Sequence, residues 1–370
     1  MRILHIYRDF AVDGGVPEQM RSVARAQASL GHEVSAICKA ISTENLIDGV
    51  HIKVIPYSFE GIFKVAKELI NSKVDAVHFS APLIVMDLLF CLVAKVLSQK
   101  IIVSPHGVLN PLGVNVRFGG KPNSSIMTSS KKIFIALAVA PLLKFVGAVH
   151  AESLYEAEVV KKYGVKSIIT VPMGINDSWI AQPEIRLSGI RIFTYLGRLD
   201  VHHKGLDLVL DAARLLKELG YVFKMRFVGS DICGSENWLT SRVIELDLCD
   251  RVLVDQPAWG GEKDKLFDET DFFLGVFRYA GMARACGEAI ARGIPLIASR
   301  EGCWGDWVED GRIGLRVNLN TEDVFIALKH AIEMTQEEYA KMSRRAYDYS
   351  HEINWGNIGK RLVDGYLSIH

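Results

Sequence analysis

Residues 191–229 read RIFTYLGRLDVHHKGLDLVLDAARLLKELGYVFKMRFVG. The apolar runs at its two ends, 191–197 and 223–229, are typical of buried β-strands, and the amphipathic stretch 204–219 between them is typical of a helix. A strand, a helix and a strand at this spacing predict a βαβ unit, in which the two strands are parallel. The stretch therefore indicates an α/β fold with helices on the faces of a parallel sheet.

The same alternation of apolar runs and amphipathic stretches continues along the whole chain. Strands are predicted at 2–7, 33–38, 51–57, 75–79, 100–106, 147–152 and 167–172, and again at 191–197, 223–229, 251–255, 271–276, 295–299 and 314–317. Helices are predicted at 17–31, 61–72, 153–164, 204–219, 235–247, 321–335 and 355–367. Because the plan occurs twice, it predicts an α/β fold of two Rossmann-like doubly wound domains that face a central cleft.

The predicted domains are 1–182 and 183–353, with a closing helix at 354–370 that crosses back to the first domain. The chain of 370 residues has the length of two ordinary domains. The segment 176–188, which has Pro183 and weak periodicity, is the predicted linker.

Composition and short motifs limit the classes of function. The chain is 49% hydrophobic and 23% charged, which is typical of a globular protein. Residues 1–7 predict a buried strand and no secretory leader, so a cytoplasmic location is expected. The six cysteines form no CxxC pair, and no DxD pair follows a strand. No metal site is therefore predicted, and the missing GxGxxG motif weakens a nicotinamide-enzyme interpretation.

The charge is balanced overall but not locally. The chain has 43 Lys and Arg against 43 Asp and Glu, whereas residues 1–182 have 19 against 14. The segment 101–150 contains no acid and has the basic residues Arg117, Lys121, Lys131, Lys132 and Lys144. Such a face attracts an anionic acceptor or a membrane surface, and an ordinary solvated face is an equally open alternative. No nucleic-acid partner is expected.

Two apolar stretches, 79–97 and 133–149, are interrupted by charged residues or proline. Neither offers the roughly 20 uninterrupted apolar residues that span a bilayer. Both are predicted to be buried helices. A peripheral membrane contact through the second stretch, beside Lys131 and Lys132, is the alternative.

Arg198 and Lys204 are the strongest candidate site residues. They lie between a predicted strand and the next helix, which is where ligands bind in open α/β sheets. Two cations at such a junction suit a diphosphate, and they can stabilise the charge of a departing nucleotide diphosphate in place of a metal. Surface residues without a ligand are the alternative.

Three further candidates lie at similar positions. The Gly14-Gly15 turn lets the backbone approach a phosphate or sugar, although such a turn also occurs without a ligand. Glu288, in a helix that follows the Gly281 turn, could accept both hydroxyls of a ribose or could pair within its helix. His106 ends the fifth strand and could bind a sugar hydroxyl or be structural.

Six segments of the chain together resemble the family 4 retaining glycosyltransferases of GT-B architecture, of the bacterial polysaccharide and lipopolysaccharide type. They are GGVPEQMRSVARAQASLGHEV (14–34), SPHGVLNP (104–111), VPMGIND (171–177), FTYLGRLDVHHKGLDLVLDA (193–212), GEAIARGIPLIAS (287–299) and INWGNIGKRLVDGY (353–366). The resemblance extends over essentially the whole chain.

The resemblance implies a role for each matching residue. Arg198 and Lys204 hold the diphosphate of the donor, Glu288 holds its ribose, and His106 lies beside the transferred sugar. The other donor-binding positions that it implies are Gly14, Gly15, Gly197, Gly281, Met282 and Ala283. The donor is a UDP- or GDP-sugar and there is no other cofactor.

The activity that the resemblance implies is metal-independent transfer of a hexose, with retention of configuration, to a glycan or lipid-linked glycan. That reaction belongs to bacterial surface polysaccharide synthesis, such as lipopolysaccharide synthesis, in the cytoplasm or at the inner face of its membrane. A nucleotide-sugar epimerase or hydrolase on the same fold is the alternative.

The chain departs from the family at one position. The family's second-domain motif has two glutamates with seven residues between them, and here Ala280 stands in the place of the first. The departure allows a natural variant that uses other groups, a deliberate substitution, or an inactive relative that only binds the donor. Arg198, Lys204 and Glu288 favour the first two interpretations.

Overall fold

The computed structural model describes residues 1–12, 14–40, 49–80, 85–114, 125–183, 189–231, 234–279 and 282–369. In this part of the chain, strands form two sheets in which every pairing is parallel. The seven-stranded sheet has the order β3-β2-β1-β4-β5-β6-β7, and the six-stranded sheet has the order β10-β9-β8-β11-β12-β13.

The strands of the first sheet are β1 (Arg2–Ile6), β2 (Glu33–Cys38), β3 (Val50–Val54), β4 (Ala76–Ser80), β5 (Ile101–Ser104), β6 (Ala148–Ala151) and β7 (Ile168–Thr170). Those of the second are β8 (Arg191–Leu196), β9 (Phe223–Val228), β10 (Val252–Asp255), β11 (Phe272–Gly275), β12 (Leu296–Ser299) and β13 (Gly314–Val317).

The α-helices are α1 (Gly15–Ser29), α2 (Phe59–Ser72), α3 (Val85–Val96), α4 (Pro111–Val114), α5 (Ser125–Phe134), α6 (Ala140–Phe145), α7 (Leu154–Lys161), α8 (Leu206–Glu218), α9 (Ser235–Glu245), α10 (Gly261–Asp268), α11 (Arg284–Ala291), α12 (Gly305–Gly311), α13 (Thr321–Glu333), α14 (Gln336–Glu352) and α15 (Trp355–Leu367). A π-helical stretch, Ile135–Val139, joins α5 to α6, and a 3-10 turn covers Asp177–Trp179.

Five inner strands of the two sheets are buried along their whole length. Every residue of β4, β5, β6, β11 and β12 is buried, whereas the edge strand β3 exposes most of its side chains. Parallel strands that are covered on both faces read as continuous apolar runs, which explains why the sequence pattern predicted them.

Chain contacts divide the molecule into two units. Unit 1 contains Met1–Leu109, Ser125–Gly174 and Ile353–His370, and unit 2 contains Asn110–Ser124 and Ile175–Glu352. Since contacts alone do not test which pieces fold independently, the predicted domain bounds of 1–182 and 183–353 stay predictions.

The strand order places the helices of unit 1 on opposite faces of its sheet. The order reverses between β1 and β4, and right-handed crossovers on either side of a reversal lie on opposite faces. Helix α1 packs against α15 on one face, whereas α2 contacts α3 and α3 contacts α6 on the other. Thus α2, α3 and α6 form one outer layer of unit 1.

The predicted strands are all confirmed, with ends that shift by at most three residues, and the last helix has the predicted bounds Trp355–Leu367. Helices α4, α5, α10, α12 and α14 were not predicted. The prediction that 79–97 and 133–149 are buried helices is confirmed only in part. Each stretch forms a helix with one buried face, but Val96 is 75% exposed and Leu137 is 76% exposed, because only one side of each helix packs on the sheet.

No helix among the described residues is both long enough and apolar enough to span a bilayer.

Candidate functional site

In unit 2, the carboxyl ends of β8 and β9 approach each other closely, because the residue after each strand is a glycine, Gly197 after β8 and Gly229 after β9. The Gly197 amide donates to the Val228 carbonyl at 3.0 Å. A Cβ at Gly229 would lie 1.6 Å from the Gly197 carbonyl oxygen, so a side chain cannot be placed there. This contact fixes the backbone that leads to Arg198.

Arg198 and Lys204 lie together at the start of α8. The Arg198 carbonyl accepts a hydrogen bond from the Tyr195 hydroxyl at 2.5 Å, and the Lys204 amide donates to the Asp200 carbonyl at 2.8 Å. Arg198 is exposed. Lys204 is partly buried, and its Nζ lies 4.4 Å from the centre of the Phe277 ring. The junction therefore brings the two predicted cations to one place.

Burial and the nearby Arg198 charge lower the pKa of the Lys204 ammonium to about 8. Within the described ranges, no carboxylate forms an ion pair with Lys204. The Asp200 carboxylate only partly offsets the Arg198 charge, so the desolvated ammonium would gain from a further negative charge. The arrangement favours an anionic ligand such as a diphosphate.

The segment that follows β11 is tied to the same junction. Gly205, with φ 62°, has no room for a side chain because a Cβ would lie 2.1 Å from the Val276 carbonyl oxygen. Arg278 forms two hydrogen bonds of 2.7 Å to the Asp207 carboxylate. The Tyr279 ring stacks on His203 with ring centres 4.2 Å apart. These contacts hold residues 276–279 against the start of α8.

Ala280 and Gly281 lie outside the described residues. After them, Met282 is buried, and the Ala283 carbonyl accepts a hydrogen bond from the Trp304 Nε1 at 3.1 Å. Ala283 precedes the first turn of α11. The predicted positions Met282 and Ala283 thus lead into the helix that carries Glu288.

Glu288 is buried in α11, and its partner comes from another helix. The Lys263 Nζ of α10 lies 2.8 Å from Glu288 Oε2. Asp264, one residue later, pairs at 2.5 Å with Arg292, the residue that follows α11. The alternative of pairing within the helix therefore does not apply, and the Lys263–Glu288 pair holds a carboxylate in place between α10 and α11.

In unit 1, His106 lies in the turn after β5 with a left-handed φ of 53°. Its side chain is 1% exposed, and its Nδ1 lies 2.7 Å from Glu152 Oε1. Gln19 of α1 also donates to Glu152 Oε1. His106 Nε2 is buried, and it finds no hydrogen-bond partner among the residues described. This orphaned nitrogen is a candidate contact for a ligand hydroxyl.

Glu156, in the first turn of α7, joins the loops after β5 and β6. Its oxygens accept the amides of Gly107 at 2.6 Å and of Glu152 at 2.8 Å. Burial and the adjacent Glu152 carboxylate raise the pKa of Glu156 to about 7. Burial lowers the pKa of His106, but the Glu152 carboxylate more than offsets this, so the pKa lies above its usual value. The imidazole can therefore donate through Nε2 when it is protonated.

Gly14 and Gly15 lie where β1 leads into α1. Gly14 has a φ of 154° and precedes the helix without a capping side chain. A Cβ at Gly15 would have no atom of the described chain within 4 Å. The first turn of α1 therefore has open space at Gly15 and free backbone amides.

Within unit 2 the structure brings Gly197, Arg198 and Lys204 together at one junction, with Glu288 on a separate helix. Within unit 1 it places His106 against Glu152. Sequence reasoning missed Glu152, Gln19, Glu156 and Lys263. The position of Glu152 at the end of the predicted strand 147–152, next to the strand that ends at His106, was an available signal. The roles of all predicted site residues stay predictions.

Two family models match the sequence. Residues 13–179 match the model described as Glycosyltransferase Family 4, and residues 179–349 match the model described as Glycosyl transferases group 1. A comparison with curated proteins finds no match.

Solved structures resemble the chain over its full length. HepE of Anabaena in complex with UDP has a TM-score of 0.74 at 14% identity, with 100% of both chains covered. A glycosyltransferase from Rickettsia africae ESF-5 has a TM-score of 0.73 at 17% identity, with 100% of this chain and 98% of that chain covered. WaaG, a glycosyltransferase involved in lipopolysaccharide biosynthesis, has a TM-score of 0.67 at 14% identity, with 99% of this chain and 100% of that chain covered.

These likenesses show a GT-B fold and confirm the predicted pair of doubly wound parallel sheets. The two family models adjoin at residue 179 and together cover residues 13–349. The chain belongs to the glycosyltransferases that these two models describe, with a Glycosyltransferase Family 4 first part and a Glycosyl transferases group 1 second part.

Proposed function

We propose that the protein transfers a hexose from a UDP- or GDP-sugar to a glycan or lipid-linked glycan, with retention of configuration and without a metal. The reaction belongs to the synthesis of a bacterial surface polysaccharide such as lipopolysaccharide. It takes place in the cytoplasm at the inner face of the membrane, with the basic region 101–150 toward the anionic acceptor.

The observation that carries this proposal is the cation pair at the start of α8. Lys204 is partly buried beside Arg198, and its pKa is lowered first by burial and then by the Arg198 charge, so an anionic ligand would stabilise the ammonium. A nucleotide diphosphate supplies that charge and gains still more as it departs from the sugar. The pair supplies the positive charge that a metal ion would otherwise contribute.

In the proposed reaction the bond between the sugar C1 and the diphosphate oxygen breaks, and the acceptor oxygen bonds to C1 from the same face. The acceptor proton passes to the departing phosphate, so no protein nucleophile is required. His106 contacts a hydroxyl of the sugar through Nε2, and Glu288 binds the ribose. The donor is also contacted by the backbone of six further residues, which are Gly14, Gly15, Gly197, Gly281, Met282 and Ala283.

A UDP-sugar is the first donor to test. The Anabaena HepE structures contain UDP, UDP with glucose, and UDP-glucose. For this chain, UDP-glucose and GDP-mannose in parallel distinguish the two bases.

Titration calorimetry with UDP and GDP tests the cation pair. We expect Arg198→Ala and Lys204→Ala each to weaken the preferred nucleotide at least about tenfold, because each removes a charge-assisted contact. Since the free Lys204 ammonium has a pKa of about 8, affinity should also fall as the pH rises above that value. The dependence should disappear in Lys204→Ala, because the diphosphate is already fully ionised there.

Arg214→Ala is the matched control, since Arg214 is a partly exposed residue of α8 that pairs with Glu218. Nucleotide affinity that is equal in all four proteins would overturn the diphosphate assignment.

Omission of the acceptor separates the rival activities. Consumption of donor without acceptor would indicate a hydrolase or epimerase, and binding without turnover on any glycan would indicate a donor-binding relative.

A further inference from the structure

A cavity of unit 2 lies beside β13, the edge strand of the six-stranded sheet. Its volume is about 570 Å³, within the range of cavities that hold small molecules. Its walls come from β13 and from the helices α12, α13 and α14. The described residues that line it include no predicted donor-binding position. We call this space the edge cavity, and it is separate from the cation pair of Arg198 and Lys204.

The helices around the edge cavity belong to both faces of the sheet. Helix α13 packs on α8, whereas α14 packs on α11 and α12. The strand order reverses between β8 and β11, so right-handed crossovers place α8 and α11 on opposite faces. The open edge of β13 therefore forms the back of a groove between two layers of helices.

The backbone of β13 turns hydrogen-bonding groups toward this open edge. The Leu296 amide of β12 donates to the Ile313 carbonyl at 3.2 Å, and Leu296 aligns with Gly314. Because alternate residues of a parallel strand bond to the same neighbour, Leu315 continues the bonds to β12 and Arg316 directs its N–H and C=O to the other side. No strand of the described chain pairs with that side. Arg316 thus offers one donor and one acceptor to a molecule in the edge cavity.

The side chains at the bottom of the edge cavity are apolar. Val308 and Ala327 are buried, and Leu315 and Met342 are partly buried. Apolar walls with a few polar groups are typical of cavities that bind organic molecules. The edge cavity therefore suits a ligand with carbon atoms better than a bare inorganic ion.

The charged residues of the edge cavity leave two cations unpaired. Glu309 pairs with Arg316, and Asp323 accepts hydrogen bonds from the turn that precedes α13. In the part of the chain that the structure describes, no carboxylate pairs with Arg312, in the turn before β13, or with Arg345 of α14. Since both carboxylates are already engaged, the available positive charge comes from two arginines on different elements.

We propose that the edge cavity binds a sugar phosphate, with the phosphate group between Arg312 and Arg345. A phosphomonoester carries close to two negative charges and has three terminal oxygens, so it can accept hydrogen bonds from two guanidinium groups at once. Hydroxyl groups of the sugar pair with the backbone of Arg316, and its carbon atoms contact the apolar side chains. The inference does not depend on sugar transfer.

Titration calorimetry with glucose 6-phosphate tests the inference in the 370-residue chain that carries Arg198→Ala and Lys204→Ala, because these changes remove the cation pair as a competing phosphate site. We expect binding to remain in this protein. Adding Arg312→Gln or Arg345→Gln should weaken it at least about tenfold, since each removes a charge-assisted contact. Inorganic phosphate, which lacks the sugar hydroxyls, should bind at least about fivefold more weakly. Hydrogen-exchange mass spectrometry should show slower exchange in 312–317 when glucose 6-phosphate is bound.

Arg344→Gln is the matched control, because Arg344 is the exposed neighbour of Arg345 on α14 and lies over the Tyr347 ring instead of lining the edge cavity. This variant should bind like the protein in which it is made, and all variants should keep the same melting temperature. Absence of binding, or binding that both cavity variants leave unchanged, would overturn the proposal. Equal affinity for inorganic phosphate would assign the edge cavity to the free ion and overturn the sugar phosphate.

Discussion

Among the predicted donor-binding glycines that the structure describes, Gly15 is the one that could accept a Cβ without strain. It is the first residue of α1, its φ is not in the left-handed region, and the described structure leaves more than 4 Å of open space around its missing Cβ. Gly14 and Gly197 differ, because their φ values are 154° and 155° and a substitution there would also strain the backbone. Gly15 therefore separates a contact with the ligand from an effect on folding.

We expect Gly15→Ala to fold with an unchanged melting temperature and to bind the donor at least about tenfold more weakly, because the methyl group occupies space that the phosphate or sugar would approach. Gly356→Ala is the control. Gly356 also lies in the first turn of a helix, and its Cβ would meet only Asn354 Oδ1 at 3.5 Å. Calorimetry and thermal unfolding of both variants make the comparison. Undiminished donor affinity in Gly15→Ala would remove Gly15 from the site.

At the scale of elements, α15 is fixed to unit 1 by a buried chain of hydrogen bonds. His150 Nε2 donates to the Val171 carbonyl at 2.9 Å, so its Nδ1 must accept from the Ser104 hydroxyl. That hydroxyl in turn accepts from His78 Nε2 at 2.6 Å, which leaves His78 Nδ1 to accept from the Tyr366 hydroxyl at 2.7 Å.

Tyr366 then accepts from Gln27, whose Oε1 accepts from His5 Nε2 at 2.7 Å. Every donor in this chain has one orientation, and all three imidazoles are neutral, because burial lowers the pKa of His5 and His150 to about 4 and that of His78 well below its usual value. The hydrogen-bonded chain runs from Val171 through β6, β5 and β4 to α15 and α1, and it ends at His5 of β1. Tyr366 is the link that α15 contributes.

We expect Tyr366→Phe to destabilise unit 1 by about 1–3 kcal/mol, because it leaves the Gln27 amide and His78 Nδ1 without a buried partner. Denaturant unfolding gives the free energy, and limited proteolysis should show earlier release of residues 353–369. Tyr347→Phe is the control, since the Tyr347 ring lies on α14 and contacts His351 and Arg344 at the surface. Equal stability of the two variants would show that the hydrogen-bonded chain does not secure α15.

How far the sequence predicted these elements depends on how local their signals are. The strands were predictable because covered parallel strands need continuous apolar runs. Helix α14 was missed because its exposed residues hide the apolar period, although Thr335 and Glu338 form a reciprocal capping box that the sequence contains. The Tyr366–His78 contact was unpredictable, because the two residues are 288 apart and only the folded sheet aligns them.

The candidate site residues were likewise predictable only where their signal is local in the sequence. Arg198 and Lys204 were predicted because both belong to one strand–helix junction. Glu152, the partner of His106, depends on which strands are neighbours, and β5 pairs with β6 only in the folded sheet. The exposure of Leu137 was not predicted, because a sequence shows that a helix is apolar but not which of its sides another element covers.

At the scale of the whole molecule, the titratable groups of unit 1 set its response to pH. His5, His78 and His150 have folded pKa values below the usual one, so each contributes stability at neutral pH that is lost as the pH falls below about 6.5. Glu156, with a pKa of about 7, and His106, with a raised pKa, act in the opposite direction. Their favourable contributions are lost as the pH rises toward and through those folded values.

Unit 1 should therefore be most stable near pH 6.5–7 and lose stability steeply on the acid side. Between about pH 6 and 5 the unfolded state holds three protons on these histidines that the folded state lacks, and the folded state holds one proton on Glu156 that the unfolded state lacks. The net difference of two protons corresponds to about 3 kcal/mol of unfolding free energy per pH unit. Unit 2 is the internal control, because among its described residues one buried histidine, His203, has a pKa of about 3 and the half-buried His202 also has a lowered pKa, against three fully buried histidines in unit 1. Hydrogen-exchange mass spectrometry in denaturant follows β4–β6 and β8–β12 separately, and the acid loss should be larger in β4–β6. Equal slopes in the two units would mean that the histidines of unit 1 are not held neutral, since a neutral buried imidazole is the source of the difference.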